Sequence, residues 1–117
     1  MFALNFVSPY HEELLRARIK NVTIRLGDVR NEYPENSVVW ITFGKKLAQK
    51  KKLYTAFIDK VYVKKFSQLT AEDLIHQNPE ITSAEKLIEF FEKLYNHKIT
   101  PDDLVSVIYF SEVVRDE

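Results

Sequence analysis

Along this chain the spacing of apolar side chains changes period several times, and each change marks an element. Residues 2–7 read as a first strand. Ser8-Pro9 then opens a helix, with Ser as N-cap, Pro at the first helical position and Glu12 and Glu13 beside the positive helix end. Leu14 and Leu15 give this helix an apolar side, and it is predicted to end near residues 17–20. Residues 21–26 alternate, with Val22, Ile24 and Leu26 on one face and Thr23 and Arg25 on the other. Gly27-Asp28 and Tyr33-Pro34-Glu35-Asn36 punctuate a loop. Residues 37–43 are apolar on both faces, which predicts a covered central strand with Trp40 in the core. Residues 44–52 hold five Lys and read as an exposed connection into a strand over residues 53–63, where Asp59-Lys60 breaks the pattern as a bulge does.

The second half is helical. Thr70 with Asp73 forms a capping box for a helix over residues 71–77, stopped by Pro79, and Thr82 with Glu85 repeats the device for a helix over residues 83–96. In the latter, Leu87, Ile88, Phe91, Leu94 and Tyr95 make one stripe, which predicts a packed face. Thr100-Pro101-Asp102 turns into a last strand over residues 104–110. Strands with one early and two late helices, without regular βαβ alternation, argue for an α+β domain around a curled sheet or small barrel. With 117 residues and no repeat or linker, a single domain over residues 1–117 is expected.

Composition narrows the chemistry. Apolar residues make up 45% and aromatics 13% of the chain, enough for a core and too much for disorder. The absence of Cys excludes disulfides, thiolate metal sites and cysteine nucleophiles. Two Gly in all leave no Rossmann or P-loop cradle to write. No apolar run approaches the ~20 residues of a membrane span, and the first residues lack the basic and apolar regions of an export signal. A cytoplasmic protein is expected.

Net charge is zero, but its distribution is uneven. Residues 16–65 carry 13 Lys and Arg against four acids, and residues 66–117 carry four against eleven. Such asymmetry predicts a positive face able to attract phosphates, with solvated edge lysines as the plainer alternative. His11, His76 and His97 share no ligand spacing, so no metal site is expected. No GxSxG-type turn occurs. One cluster stands out, Lys20, Thr23 and Arg25. Thr23 and Arg25 project from one strand face, and Lys20 joins them only if the chain turns near Asn21. A Thr hydroxyl needs a base to act as nucleophile, and Lys serves as one only when its pKa is depressed, as burial beside Arg25 would do. Phosphate binding by Lys20 and Arg25 is the alternative. Tyr33, in the loop beside Arg30, is the stacking candidate for a single-stranded base.

These residues also carry a resemblance. The run Leu-Leu-Arg-Ala-Arg-Ile-Lys-Asn-Val-Thr-Ile-Arg-Leu-Gly from Leu14 to Gly27 resembles the ASCH-domain pattern of a helix, then Gly-x-Lys-x-x-Thr-Ile-Arg, then a strand. Residues 61–73, with Ser67-Gln68-Leu69-Thr70-Ala71-Glu72-Asp73, are similar to its Val-x-x-Lys-x-Phe-x-x-Leu-Thr-x-Glu-Asp segment, and residues 83–110 resemble its closing helix and strand. Three positions depart from the pattern. Arg18 stands where the motif has Gly, Asn36-Ser37 replaces a Gly-Asp turn, and Gln77 takes the place of an expected carboxylate.

The resemblance implies a PUA-like fold, a small β-barrel with surrounding helices and a cleft beside the Thr23-Ile24-Arg25 strand. It implies work on RNA, which PUA-like domains commonly bind. Some ASCH proteins are amidohydrolases that deacetylate N(4)-acetylcytidine, and some are linked to ribonuclease activity. Carried onto this chain, Lys20 is the candidate base and Thr23 the nucleophile. Glu80 is the carboxylate if residues 77–79 shift register, and the three are catalytic only in an enzyme. The leading expectation is an RNA-binding protein without cofactor or metal that takes RNA or a modified nucleoside; its oligomeric state is left open, with a monomer favoured. Its binding set is Arg18, Lys20, Arg25, Arg30 and Tyr33, with Lys45, Lys46, Lys64 and Lys65 as peripheral phosphate contacts.

Overall fold

The computed structural model describes residues 2–45 and 49–114. Its strands are β1 (Ala3–Phe6), β2 (Val22–Leu26), β3 (Val38–Phe43), β4 (Lys51–Lys65) and β5 (Leu104–Glu112). They form one five-stranded sheet in the order β1-β3-β4-β5-β2. β1 runs parallel to β3, and the other pairings are antiparallel. Helix α1 (Pro9–Arg16) joins β1 to β2, while α2 (Ala71–Ile75) and α3 (Ala84–Tyr95) lie between β4 and β5. The fold is α+β, a PUA-like curled sheet with α1 packed inside the curl through Leu15 and α2 and α3 on the other face.

The curl has local causes. β4 runs for 15 residues, and its register with β5 shifts between Ile58 and Lys60, at the predicted Asp59-Lys60 bulge. A second shift separates Ile41 from Thr42 in the β3–β4 ladder. Each bulge bends and twists the strand that carries it. Because strand side chains alternate between faces, the curl creates two apolar layers. Leu4, Phe6, Val39, Ile41, Ile58 and Ile108 fill the inside of the curl. On the other face of β2 and β5, Val22, Ile24, Val105 and Val107 pack under Leu74 of α2 and Leu87 and Phe91 of α3.

Three sequence expectations change. Trp40 is 43% exposed rather than buried, because the helices cover β2 and β5 and leave the outer face of β3 bare. Ser83, not Thr82, caps α3 and accepts the Lys86 N–H through its hydroxyl, while the Thr70–Asp73 capping box forms as expected. The stripe on α3 is only partly packed, since Leu94 and Tyr95 emerge 54% and 46% exposed.

The end of α1 positions the site. Arg18 adopts φ 60°, the Ile19 N–H bonds to Leu14 O at 2.9 Å, and the Arg18 N–H bonds to Leu15 O at 3.0 Å. This is a Schellman motif with Arg18 at the left-handed position that glycine usually fills, where the resembling motif has Gly. Asn36 (φ 66°) stands at the other substituted glycine. The reversal at Arg18 brings Lys20, which an unbroken strand would point away, back toward the interior of the curl.

Candidate functional site

β1 and β2 are the two edges of the sheet, and a cavity of about 120 Å³ opens between them. Asn5 and Phe6 on β1, Thr23 and Arg25 on β2, and Leu94 and Tyr95 on α3 line it. Edge strands present unpaired backbone groups, and one is met across the seam: Arg25 Nη2 donates to Asn5 O at 3.1 Å. The Arg25 Nε is buried and has no hydrogen-bond partner in the protein. Burial draws the Arg25 pKa down.

Lys20 is fully buried. Its Nζ donates to Val22 O at 2.6 Å, Gln77 O at 2.8 Å and Gln77 Oε1 at 3.0 Å. Burial first, and the Arg25 charge second, push its pKa well below the usual lysine range. Three acceptors match the three hydrogens of an ammonium; in that form Lys20 has no lone pair to take a proton from Thr23, while the lowered pKa is the one condition for a Lys base that the site meets. Both cations lie over one ring: Lys20 Nζ is 5.3 Å and Arg25 Cζ 5.2 Å from the Phe6 centroid, a cation–π arrangement. Among the described residues lining the cavity there is no Asp or Glu.

His11 completes the polar wall. Burial, then Lys20 and Arg25, hold its pKa down to about 4, so the imidazole is neutral near pH 7. Asn78 Nδ2 donates to its Nε2 at 3.3 Å, which leaves the ring hydrogen on Nδ1. Between the ordinary value of 6.5 and about 4 the unfolded chain binds the proton and the folded chain does not. Stability therefore falls as pH is lowered through that window. His11→Gln keeps an acceptor for Asn78 and is expected to flatten this part of a melting-temperature-against-pH curve. An unchanged slope would exonerate His11.

The structure sets Thr23 and Arg25 in the wall of the cavity and Lys20 behind that wall, against Phe6 and Gln77, where it borders a separate cleft with Arg18 and Glu112; the rest of the predicted set is dispersed. Arg18 pairs with Glu112 at 2.9 Å and lies over Tyr54. Arg30 pairs with Asp28 at 2.6 Å, Lys64 with Asp73 at 2.5 Å, and Lys65 lies 3.8 Å from Asp102. The Tyr33 hydroxyl donates to Ala3 O at 3.1 Å while its ring packs on the core and on Phe2, so it serves as a tie within the fold. Glu80 is exposed and does not line the cavity. Lys45 is exposed beside Gly44, whose N–H bonds to Phe6 O and whose carbonyl accepts from Asn5 Nδ2, so it stands at the cavity rim. Lys46 lies outside the described residues. His11 and the wall from α3 were not read from sequence. The signal for the wall was Phe90, which widens the apolar arc of α3 beyond a packing stripe. Among the described residues no three His, Asp or Glu side chains gather to hold a metal, and no helix is long and apolar enough to cross a membrane.

The sequence matches no protein-family model and no curated protein. Solved structures do match. Protein EF3133 from Enterococcus faecalis V583, of family DUF984, superposes with a TM-score of 0.66 at 18% identity, over 86% of this chain and 68% of that one. Hypothetical protein PH0355 gives 0.63 at 16% identity, over 96% and 98% of the two chains. The ASCH domain from Lactobacillus crispatus JV V101 gives 0.59 at 14% identity, over 94% and 77%. The likeness is one of fold: this chain has the architecture of an ASCH domain.

Proposed function

We propose that the chain binds single-stranded RNA, with the cavity between β1 and β2 receiving one unstacked base. The observation that carries this is the buried Arg25 Nε without an acceptor. A buried polar group in a native protein nearly always finds a partner; Arg25 lines the cavity, and a small rotation of its guanidinium would bring this nitrogen to a carbonyl or phosphate oxygen entering there. Three further features support the reading. Arg25 lines the cavity with no carboxylate among the described lining residues, and Lys20 lies behind its Phe6 wall, 5.3 Å from the ring centroid. Phe90, Leu94, Tyr95 and Phe6 give apolar walls of the kind that hold a splayed-out base. A volume of about 120 Å³ suits a single ring, since benzene fills a cavity of roughly 150 Å³.

Amide hydrolysis fits the cavity less well. Thr23 needs a base, the Lys20 nitrogen is hydrogen-bonded to three oxygens, and Gln77 cannot accept a proton as a carboxylate would.

Fluorescence anisotropy with a single-stranded RNA decamer tests the proposal. Affinity is expected to fall as salt rises, because phosphate contacts release counterions. Arg25→Ala is expected to weaken binding about tenfold or more, the scale of a charged hydrogen bond. Absence of binding at low salt would overturn the proposal.

A further inference from the structure

The cavity accounts for one base, and the sheet beside it offers a place for the next. On the outer face of the β1–β3 pair, Trp40 stands opposite Ala3, and Thr42 stands opposite Asn5. Asn5 lines the cavity, so Trp40 lies on the same face two residues along the strand from the cavity rim, about 7 Å at strand rise. Trp40 is 43% exposed. Lys52 Nζ lies 5.1 Å from its ring centroid, and Lys50 and Lys51, which precede it in the chain, are exposed. From Ser37 to Ile58 the chain holds five Lys and no Asp or Glu. Lysines guard exposed edge strands against aggregation, but β3 is flanked by β1 and β4 and needs no such guard. A half-exposed indole with a lysine ammonium over its ring combines the two elements that hold single strands without sequence preference, an aromatic platform and a cation beside it.

We infer that Trp40 is a stacking platform for the nucleotide adjacent to the one in the cavity, with Lys52 holding the phosphate between or beside them. The inference rests on the RNA reading above and deepens it, turning a one-base pocket into a two-subsite track for a single strand.

Trp40 is the only Trp in the chain, so its emission reports on this position alone. Hexauridylate and uridine 5′-monophosphate are the probes. Hexauridylate is expected to quench the emission, while the mononucleotide, occupying the cavity only, leaves it unchanged. Trp40→Ala is expected to weaken hexauridylate binding about tenfold without altering mononucleotide binding measured by calorimetry, and Trp40→Phe to restore most of the loss. Lys52→Ala is expected to reduce the salt slope by about 0.7, one single-strand phosphate contact. Equal hexauridylate affinity in Trp40→Ala and the parent overturns the platform. So does a dimer in sedimentation that Trp40→Ala converts to monomer, since a second copy would then cover the face. Hexauridylate binding that depends on Trp40 but not on Arg25 upholds the platform and overturns the cavity reading. No binding of either probe overturns both.

Discussion

Lys20→Ala is expected to lower the thermal unfolding midpoint by about 10–20 °C. The substitution leaves Val22 O, Gln77 O and Gln77 Oε1 without the donor they share and opens a void where a fully buried side chain stood. Unmet buried acceptors and a large-to-small cavity together cost about 3–5 kcal/mol, and a chain of this size loses roughly 3–6 °C per kcal/mol. An opposing effect limits the loss, because the variant no longer buries a charge without a carboxylate. Lys20→Met separates the two. It keeps the stem packed over Phe6 and removes the charge, so it is expected to be about 2 kcal/mol more stable than the Ala variant, by denaturant titration. The charge also has a pH signature. The folded-state pKa lies below the unfolded value of 10.5, so the unfolded chain holds more protons between the two and stability rises with pH across that interval. Lys20→Met is expected to abolish that alkaline rise. An Ala variant as stable as the parent would show that Lys20 ties nothing together.

That Lys20 joins Thr23 and Arg25 was legible in sequence only as a condition, a turn near Asn21. The turn exists because Arg18 takes the left-handed conformation, and nothing about an arginine announces that. What announces it is the glycine of the resembling motif, so the departure from the pattern and the backbone requirement are one fact. The strands were legible for a simpler reason. Alternation over residues 21–26 and the polar break at Asp59-Lys60 are local signals, and the ladder formed where they pointed.

Trp40 shows the limit of such signals. A strand apolar on both faces reads as covered, but which strands the helices cover is decided by connections far away in the chain. Here α2 and α3 settle over β2 and β5 and leave β3 with one bare face. The basic segment was misleading for the same reason. Counting charge along residues 16–65 takes no account of partners such as Glu112 for Arg18 and Asp73 for Lys64, which only the folded topology supplies. Once those pairs are formed, Arg18, Arg30, Lys64 and Lys65 each face a carboxylate.

Gln77→Glu is expected to change stability and binding in opposite directions. Gln77 Oε1 sits 3.0 Å from Lys20 Nζ, so a glutamate in the same rotamer places a carboxylate against a buried ammonium, with Arg25 as a second cation nearby. Lys20 and Arg25 already bear the cost of burial, so the new anion gains attraction from both and is offset mainly by its own desolvation. A net gain of about 1–3 kcal/mol is expected, and the Lys20 pKa moves back up because an opposite charge favours the ammonium. The ligand, by contrast, meets a carboxylate beside the Arg25 guanidinium that draws its oxygen, and RNA affinity is expected to drop about tenfold or more. The same variant separates binding from catalysis. The parent, with no proton acceptor at this position, is expected to release no cytidine from N(4)-acetylcytidine above background. The variant carries the carboxylate that the ASCH resemblance implies, and chromatography of cytidine release shows whether Lys20 and Thr23 retain hydrolytic geometry around it. Turnover by the parent that disappears in Thr23→Ala would overturn the binding-only account. Turnover appearing only in Gln77→Glu would place the loss of chemistry at this one amide. A variant that binds RNA as tightly as the parent would mean that the ligand's oxygen lies elsewhere, and that the Arg25 Nε is met from another direction.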